Sequence, residues 1–598
     1  MPHRFRTFLG VPSLLALAVA GLRMWQLNQQ QELWGYWPLP LLLGAWGLIV
    51  ALRQNTSRLR YLALATVAGV GLGLGFPPLP TWPLMVVGFV ALLRLVDGLV
   101  EGQQARKRMW WYGYHAFVLY NVLATWWVAN TALAAGIVAN FLNALLMTVP
   151  AVAIYQARKH IPKYWLLAAP LFWISFEYLH YNWQIAWPWL TFGNALASTP
   201  YLAQWYEWTG VFGGSLYLAG GASLSYYVYL HLWRQPAGKY RAVIGLCAWW
   251  LVPVAVSLSL LVQVVDDGSN ISAEVLAVQP NLEPHYEKFD GDPNGQLDHF
   301  FDLIGDPNER ALVILPETSF GNYDEATLNR SPLFQRWQRD VASEVDLLAG
   351  LSTYVRYARP IESPALRTQD IPGGGQVYYT SHNSAVAATD SEVAGVYHKS
   401  RLVPGVEMLP YRKLLFFFEP LVKSLGGTTA GLGVSDSAIV FRYPSGLAAA
   451  PLICYESIYG DYVREFTQAG ANLLVVPTND GWWDDTPGHV QHLQIGQLRA
   501  IENRRWLVQA ANSGISAIVD HAGQVRERTS YNEATVLAGE VKLLRGLTLY
   551  ARVGDVLGAV CAGLGCLCLL VLLFVAGQRS VSLNEEAGVS VSDRRRPS

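Results

Sequence analysis

The chain has 598 residues and a formal net charge of −1, with 52% hydrophobic and only 15% charged residues. Soluble domains carry roughly 25% charge, so a wholly water-soluble protein is excluded, and a balance this close to neutral leaves no electrostatic footprint for nucleic acid. Charge is sparse before about residue 265 and ordinary from there to about 552, which divides the chain into a membrane part and a water-soluble part.

Apolar stretches of nearly the roughly 20 residues needed to cross a bilayer recur at 8–26, 34–52, 61–78, 82–100, 110–128, 131–155, 164–179, 209–230, 241–265 and 553–577. The pattern predicts about ten spans. The stretch 164–179 is short and contains Glu177, an intramembrane acid that is a functional candidate unless it reaches water at its helix end. The first stretch has Arg4 and Arg6 before it but no small-residue cleavage site after it, so it reads as a span and not as a signal peptide. Basic residues cluster in every second connection: Arg53, Arg58 and Arg60; Arg106 to Arg108; Arg158, Lys159 and Lys163; Arg234, Lys239 and Arg241; and Arg579 with Arg594 to Arg596. The alternate connections 27–33, 79–81, 129–130 and 180–208 contain neither Lys nor Arg. Basic loops stay in the cytoplasm, which predicts cytoplasmic termini and places 266–552 outside. The connection 180–208 is dense in aromatics, among them Trp183, Trp187, Trp189, Trp205 and Trp208. It reads either as an interfacial aromatic belt or as the floor of a lipid-access groove.

From Ala273 onward, short β-rich runs alternate with polar helical stretches. Strands are predicted at 274–279, 311–316, 347–352, 383–388, 396–399, 438–442, 448–454, 473–477, 506–510 and 516–520, with helices at 296–306, 331–345, 457–469 and 489–504. Such alternation argues a layered α/β domain. Gly373 to Gly375 and 421–436 read as loops. There is no phosphate-binding or dinucleotide glycine motif and no zinc-ligand spacing. His489 and His492 lack a third ligand nearby, so a capping or lining role is expected and no metal is assigned.

Cys454 is the one cysteine outside strongly apolar sequence; Cys247, Cys561, Cys566 and Cys568 lie within it. A lone thiol at a strand end is either a small buried hydrophobe or a nucleophile that needs a base and an oxyanion stabiliser. Two other strand ends supply those types. Val313-Ile314-Leu315-Pro316 delivers Glu317, and Val396-Tyr397-His398 delivers Lys399. A carboxylate in a partly apolar site can take a thiol proton. An ammonium opposite it can stabilise a thiolate and the oxyanion of a tetrahedral intermediate.

Glu317, Lys399 and Cys454, in their contexts Leu315-Pro316-Glu317-Thr318, His398-Lys399 to Pro404 and Ile453-Cys454-Tyr455-Glu456, resemble the Glu-Lys-Cys triad of the nitrilase superfamily. With helices on both sides, the chain is similar to the membrane-embedded branch, the apolipoprotein N-acyltransferases, from about residue 61 to 577. Gly75-Phe76-Pro77-Pro78, Trp187-Pro188-Trp189-Leu190, Thr478 to Trp483, His492, Arg499, Glu502, Arg505 and Asn512 to Ile515 add to the likeness. Two departures leave the triad untouched: the helices before residue 60 are additional, and Gly405-Val406-Glu407 replaces a more usual spacing with the acid in register. The resemblance implies an αββα nitrilase-like sandwich carried on a polytopic helical domain. The expected division is 1–60 extra helices, 61–265 membrane domain, 266–552 catalytic domain, 553–577 last span and 578–598 disordered cytoplasmic tail. Asn383, Glu407, Tyr455, Glu456, Trp482 and Trp483 are expected to line or support the site. No cofactor or metal is implied. The partners implied are a phospholipid acyl donor, a diacylated apolipoprotein acceptor and the bilayer of a bacterial inner membrane, with the catalytic domain periplasmic. The alternatives are a membrane-anchored amidase or nitrilase using the same triad, and a transporter or receptor with an outer binding domain. The second would place ionisable residues at mid-span, where Arg94 and Asp97 near one helix end are the main examples.

Overall fold

The computed structural model describes residues 2–592 except 55–57, 235–238, 265–270, 289–290, 308–309, 342–343, 372–374, 391 and 420–430. The predicted loop residues Gly373 and Gly374, most of 421–436, and Arg594 to Arg596 therefore lie outside the described residues.

Each apolar stretch forms a helix: Pro2–Gln29, Pro38–Arg53, Leu59–Leu74, Pro83–Glu101, Arg106–Thr125, Leu133–His160, Trp165–Tyr181, Tyr206–Arg234, Lys239–Val264 and Val556–Ser592. Five of these are long and apolar enough to cross a membrane by length and composition, and two more are shorter apolar helices. The last helix continues to Ser592, where a disordered tail from 578 was expected. Gly71 and Gly88 meet where the third and fourth helices cross. A Cβ on either would lie under 3 Å from the other helix's backbone, so only glycine permits that approach.

The water-soluble part is two sheets. With the strands numbered in chain order, and β4 being Arg367–Asp370, β7 Phe441–Arg442, β11 Ala517–Val519, β12 Val525–Arg528 and β13 Thr535–Lys542, the first has the order β13-β1-β2-β3-β5-β4, with β6 also paired to β5; the second runs β12-β11-β10-β9-β8-β7. The strands that matter for the site are β1 (Ser272–Gln279), β2 (Leu312–Asp324), β3 (Asp346–Tyr357), β5 (Gln376–Thr389), β6 (Glu392–His398), β8 (Ala448–Pro451), β9 (Leu473–Thr478) and β10 (Trp506–Ala511). Side chains alternate between faces along a strand, and the alternation sorts two cores. Leu276, Val278, Val313, Leu315, Leu347 and Ala349 face the outer helices Pro293–Ile304 and Pro332–Asp340. Val275, Ala277, Leu312, Ile314 and Leu348 instead join the larger core that holds Ala449, Leu473 and Val475 of the second sheet. Strands β8, β9 and β10 are mutually parallel, as are β1, β2 and β3, so chemistry can gather where the strands end. β13 (Thr535–Lys542) lies antiparallel to β1 with Ser272 opposite Lys542, so the chain leaves and re-joins the helical part at one place.

The charge-poor connections dock on this domain. Gln491, on helix Pro487–Asn503, donates to the carbonyls of Pro77 (2.7 Å) and Ala124 (3.0 Å) and accepts from the indoles of Trp127 (3.2 Å) and Trp189 (2.9 Å). Asn130 donates to the carbonyls of Trp483 and Gly35, Tyr455 donates to the carbonyl of Ala186, and Arg504 pairs with Glu207 at 2.6 Å. The aromatic connection forms three 3-10 turns, of which the first two are buried between helices and domain, with Trp189, Leu190 and Phe192 no more than 1% exposed. Glu177 does not reach water: it is 4% exposed and accepts from the Trp173 indole and the Phe192 N–H, both at 2.8 Å.

Candidate active site

Glu317 sits where β2 breaks register with β3, between Leu315 and Phe320, and the left-handed Thr318 (φ 49°) follows it. This bulge turns a buried strand residue sideways into the seam. Glu317 Oε1 accepts from Asn383 Nδ2 at 2.7 Å and from Lys399 Nζ at 3.0 Å. Lys399 follows β6, is 1% exposed, and also donates to Glu407 Oε1 at 2.9 Å. Asn383 bridges the two acids, reaching Glu407 Oε1 at 3.2 Å, and its carbonyl accepts from the Lys399 N–H at 2.8 Å. Glu407 is held in turn by the Val403 N–H at 2.8 Å. Burial pushes Glu317 up, but Lys399 and Asn383 outweigh it and hold the carboxyl below its ordinary value. Burial pulls Lys399 down, and Glu317 and Glu407 reverse that, raising it well above the usual lysine range.

Cys454 comes from the other sheet. Beyond β8 the chain enters a 3-10 turn, Cys454–Ile458, with Cys454 itself at φ 50°. A non-glycine residue held there stores strain that the surroundings must hold in place. Glu456 does the holding. Its Oε2 accepts from the Ile453 N–H at 2.8 Å, and its Oε1 accepts from the Ser400 N–H at 2.7 Å, the Arg401 N–H at 3.2 Å and the Tyr397 hydroxyl at 2.6 Å. One carboxyl thus ties the turn bearing Cys454 to the backbone just after Lys399. Burial moves Glu456 up to about 7, while these donors pull it back. Burial also pushes the Cys454 thiol well above its usual value; Glu317 adds to this and Lys399 opposes it. Both shifts favour a neutral thiol and an ionised carboxylate.

The expected supporting residues divide by place. Asn383, Glu407 and Glu456 brace the triad. Tyr455 points to the membrane part, its hydroxyl on the Ala186 carbonyl at 3.1 Å and its ring stacked on Trp187 at 6.4 Å. Trp483 packs against Trp127 (4.7 Å), Trp189 (5.6 Å) and His492 (5.8 Å), whereas Trp482 meets the edge of His285 at 5.0 Å. Leu414, Phe416 and Phe417 are 60–71% exposed and are not core. Arg499 and Arg505 are buried braces on the carbonyls of Ile458 and Ala471.

Two features were not read from the sequence. Lys288 reaches in from the loop after β1, donating to the Glu317 carbonyl at 2.7 Å and to Thr318 Oγ1 at 3.3 Å, and burial lowers it to about 7. No motif surrounds it, so no local signal marked it. The second is a chain of contacts behind the thiol: Asp480 Oδ1 lies 2.9 Å from His492 Nδ1, and His492 Nε2 faces Ser457 Oγ (2.9 Å) and the Cys454 carbonyl (3.2 Å). Burial lowers His492, but Asp480 outweighs it and raises the ring above its ordinary value. A capping or lining role was expected of His492, and its contacts are to the turn that bears Cys454.

Two family models match the chain: the apolipoprotein N-acyltransferase N-terminal domain over residues 68–224 and carbon-nitrogen hydrolase over residues 306–546. An apolipoprotein N-acyltransferase of Chlorobaculum tepidum is 29% identical over 514 residues, covering 84% of this chain and 94% of the relative. One from Azotobacter vinelandii is 30% identical over 519 residues, covering 82% of this chain and 90% of the relative.

Proposed function

Because the chain belongs to the apolipoprotein N-acyltransferase family, and so is an acyltransferase that N-acylates lipoproteins, we propose that Cys454, Glu317 and Lys399 carry its chemistry in two steps. The observation that carries this assignment is the meeting of the β2 bulge with the segments that follow β6 and β8. A buried ammonium lies 3.0 Å from one carboxylate and 2.9 Å from a second, with the only thiol of the water-soluble part within their field.

In the first step Glu317 takes the Cys454 proton as the sulfur attacks the ester carbonyl carbon of a phospholipid. Lys399 and a backbone N–H of the 3-10 turn hold the oxyanion. The ester C–O bond breaks, Glu317 returns the proton to the leaving alkoxide, and lysophospholipid departs from a thioester. In the second step the α-amine of a diacylglyceryl-cysteine attacks that thioester. Its proton passes through Glu317 to the departing sulfur, leaving an N-acylated lipoprotein and the free thiol. Glu407 and Asn383 keep Lys399 and Glu317 aligned. Because Glu317 is ionised while the thiol is neutral, the base is ready before substrate arrives and the proton moves only with attack.

Both substrates are lipids, which accounts for a nucleophile placed at the seam between domain and helices. Each connection without Lys or Arg faces the catalytic domain through the contacts of Gly35, Pro77, Asn130, Ala186 and Gln204. With basic loops inside, this supports a periplasmic catalytic domain, cytoplasmic termini and about ten spans, with 1–60 an addition and 266–552 the catalytic unit. Trp482, Trp483 and Tyr455 form the wall toward the bilayer, and the exposed Leu414, Phe416 and Phe417 extend it. The test is mass spectrometry of the protein after incubation with phospholipid. A mass gain equal to one acyl chain, reversed by hydroxylamine and absent in Cys454→Ala, is expected. A persistent adduct in that variant removes Cys454 as the nucleophile.

A further inference from the structure

Behind the strands that hold Asn383 and Lys399 lies a second cluster that the acyl transfer does not use. Adjacent side chains of a strand point to opposite faces. His382 and His398, each one residue before Asn383 and Lys399, accordingly turn away from Glu317 and toward each other. Their rings stack with centroids 3.8 Å apart and planes 28° apart. Glu325, in the 3-10 turn after β2, joins them: its Oε1 lies 2.8 Å from His398 Nε2 and accepts from Thr353 Oγ1 at 2.6 Å. One ligand atom from each of the three lies within 4.8 Å of the other two. His382 is 6% exposed. Its Nε2 is 2.7 Å from Thr380 Oγ1, and its Nδ1 has no partner of hydrogen-bond geometry among the described residues. The loop holding Gly433 and Ser435 roofs the rings; Gly433 donates to the Ser381 carbonyl at 2.9 Å, and a Cβ there would strike the His382 ring.

A single His–Glu pair would be complete with His398 alone. The second imidazole, stacked face to face and buried, gives Glu325 no further hydrogen bond and would be repelled if both rings were charged. An ion between neutral imidazoles and a carboxylate removes that conflict. Nitrogen and oxygen ligands about 2.0–2.1 Å from a tetrahedral ion sit roughly 3.3 Å from one another; the three ligand atoms now lie within 4.8 Å, and the stacked rings turn out of parallel so that both nitrogens face the ion. Two imidazoles with one carboxylate and no thiolate suit a divalent transition cation and not calcium or magnesium.

We propose that Glu325, His382 and His398 form a binding site for a divalent transition cation of the Zn²⁺ class, with one position left for water. The site ties together the end of β2, β5 and β6, the same elements whose opposite faces present Glu317, Asn383 and Lys399. Its role is to fix those strands, since an ion bound only by the folded state stabilises it.

The test uses the full-length protein in detergent, stripped with a chelator and then titrated with Co²⁺ and Zn²⁺. One equivalent of Co²⁺ should bind and give visible d–d absorption, which Zn²⁺ displaces; Zn²⁺ should also raise the melting temperature, reversibly on chelation. Glu325→Gln retains the side-chain shape and can still meet Thr353, and it should weaken Zn²⁺ binding at least about tenfold. His398→Ala should abolish binding, and Cys454→Ala should leave it intact. Absence of saturable binding overturns the proposal. So does binding that survives both Glu325→Gln and His398→Ala, or binding lost in Cys454→Ala, which would place the ion at the thiol.

Discussion

The two sheets contribute to one site by opposite means. The β2–β5–β6 side assembles formal charge: Lys399 lies 3.0 Å from Glu317 and 2.9 Å from Glu407, with Lys399 and Glu317 almost fully out of water and Glu407 partly buried. Burying such charges is costly unless each is paired and hydrogen-bonded, and Asn383 and the Val403 N–H supply the remaining bonds. The β8–β9 side keeps its reacting group neutral and invests in shape. Cys454 is held at φ 50° by Glu456 and by the His492–Asp480 contacts to its carbonyl and to Ser457. The contrast shows where the proton begins. One sheet presents a carboxyl held below its ordinary value, the other a thiol that burial pushes up, and in the proposed mechanism attack moves the proton from one to the other.

This comparison can be broken by degrees. Cys454→Ala removes the reacting atom, and acyl transfer should fall at least about 10⁴-fold, measured as triacylated product by mass spectrometry. Glu317→Gln keeps the hydrogen bond from Lys399 but cannot take a proton, so single-turnover acylation should slow by about 10²–10⁴-fold; a rate near wild type would move the base elsewhere. Glu407→Gln leaves the Glu317–Lys399 pair intact and loosens one side of the ammonium. A drop of about tenfold in acylation rate, worth about 1.4 kcal/mol, is expected, with phospholipid affinity unchanged.

Asp480→Asn probes the neutral side. With His492 no longer held up by the Asp480 charge, the contact to the Cys454 carbonyl weakens, and acylation should slow about threefold to tenfold, most in the pH window between the variant's lowered and the wild type's raised ring titration and less above it, where the ring is unprotonated in both. A pH-independent loss equal to that of Glu407→Gln would erase the distinction drawn between the sheets. The smallest effect lies far from the seam. Burial at the start of β3 raises Asp346 from 3.8 to about 6. A carboxyl raised on folding contributes fully below 3.8, and that contribution is lost as pH rises through 6. Asp346→Asn should therefore match wild type in stability near pH 3.5 and exceed it by about 1 kcal/mol at pH 7.5, after allowing for solvent screening.

Much of this was legible in one dimension because the signals are local. The spacing of apolar runs located every long helix, since a helix in lipid satisfies its own backbone and needs only a length of apolar residues. Glu317, Lys399 and Cys454 stood out because each ends an apolar strand on a residue that apolar strands do not ordinarily carry. The edge strands β4 (Arg367–Asp370) and β12 (Val525–Arg528) escaped because they are exposed and polar, with no alternation to reveal them; β13 was missed as well, although its Leu537 and Val541 are buried. The pairing of Glu177 with Phe192 and Trp173, and the burial of 188–197 beneath the catalytic domain, have no sequence signal either.

What the amino-acid order determined alone is therefore the division into helical and layered parts and the chemical types at the three positions Glu317, Lys399 and Cys454. What only the folded chain decided is their conjunction. Lys288, Asn383, Glu407 and Glu456 matter because they hydrogen-bond to groups 3 to 66 positions away along the chain. The stacked histidines behind Lys399 are 16 residues apart in sequence and 3.8 Å apart in space. Hydrophobic periodicity reports which face of a strand is buried. It does not report which other strand's residues wait on that face, because pairing and sheet packing are set by the closing of the whole core.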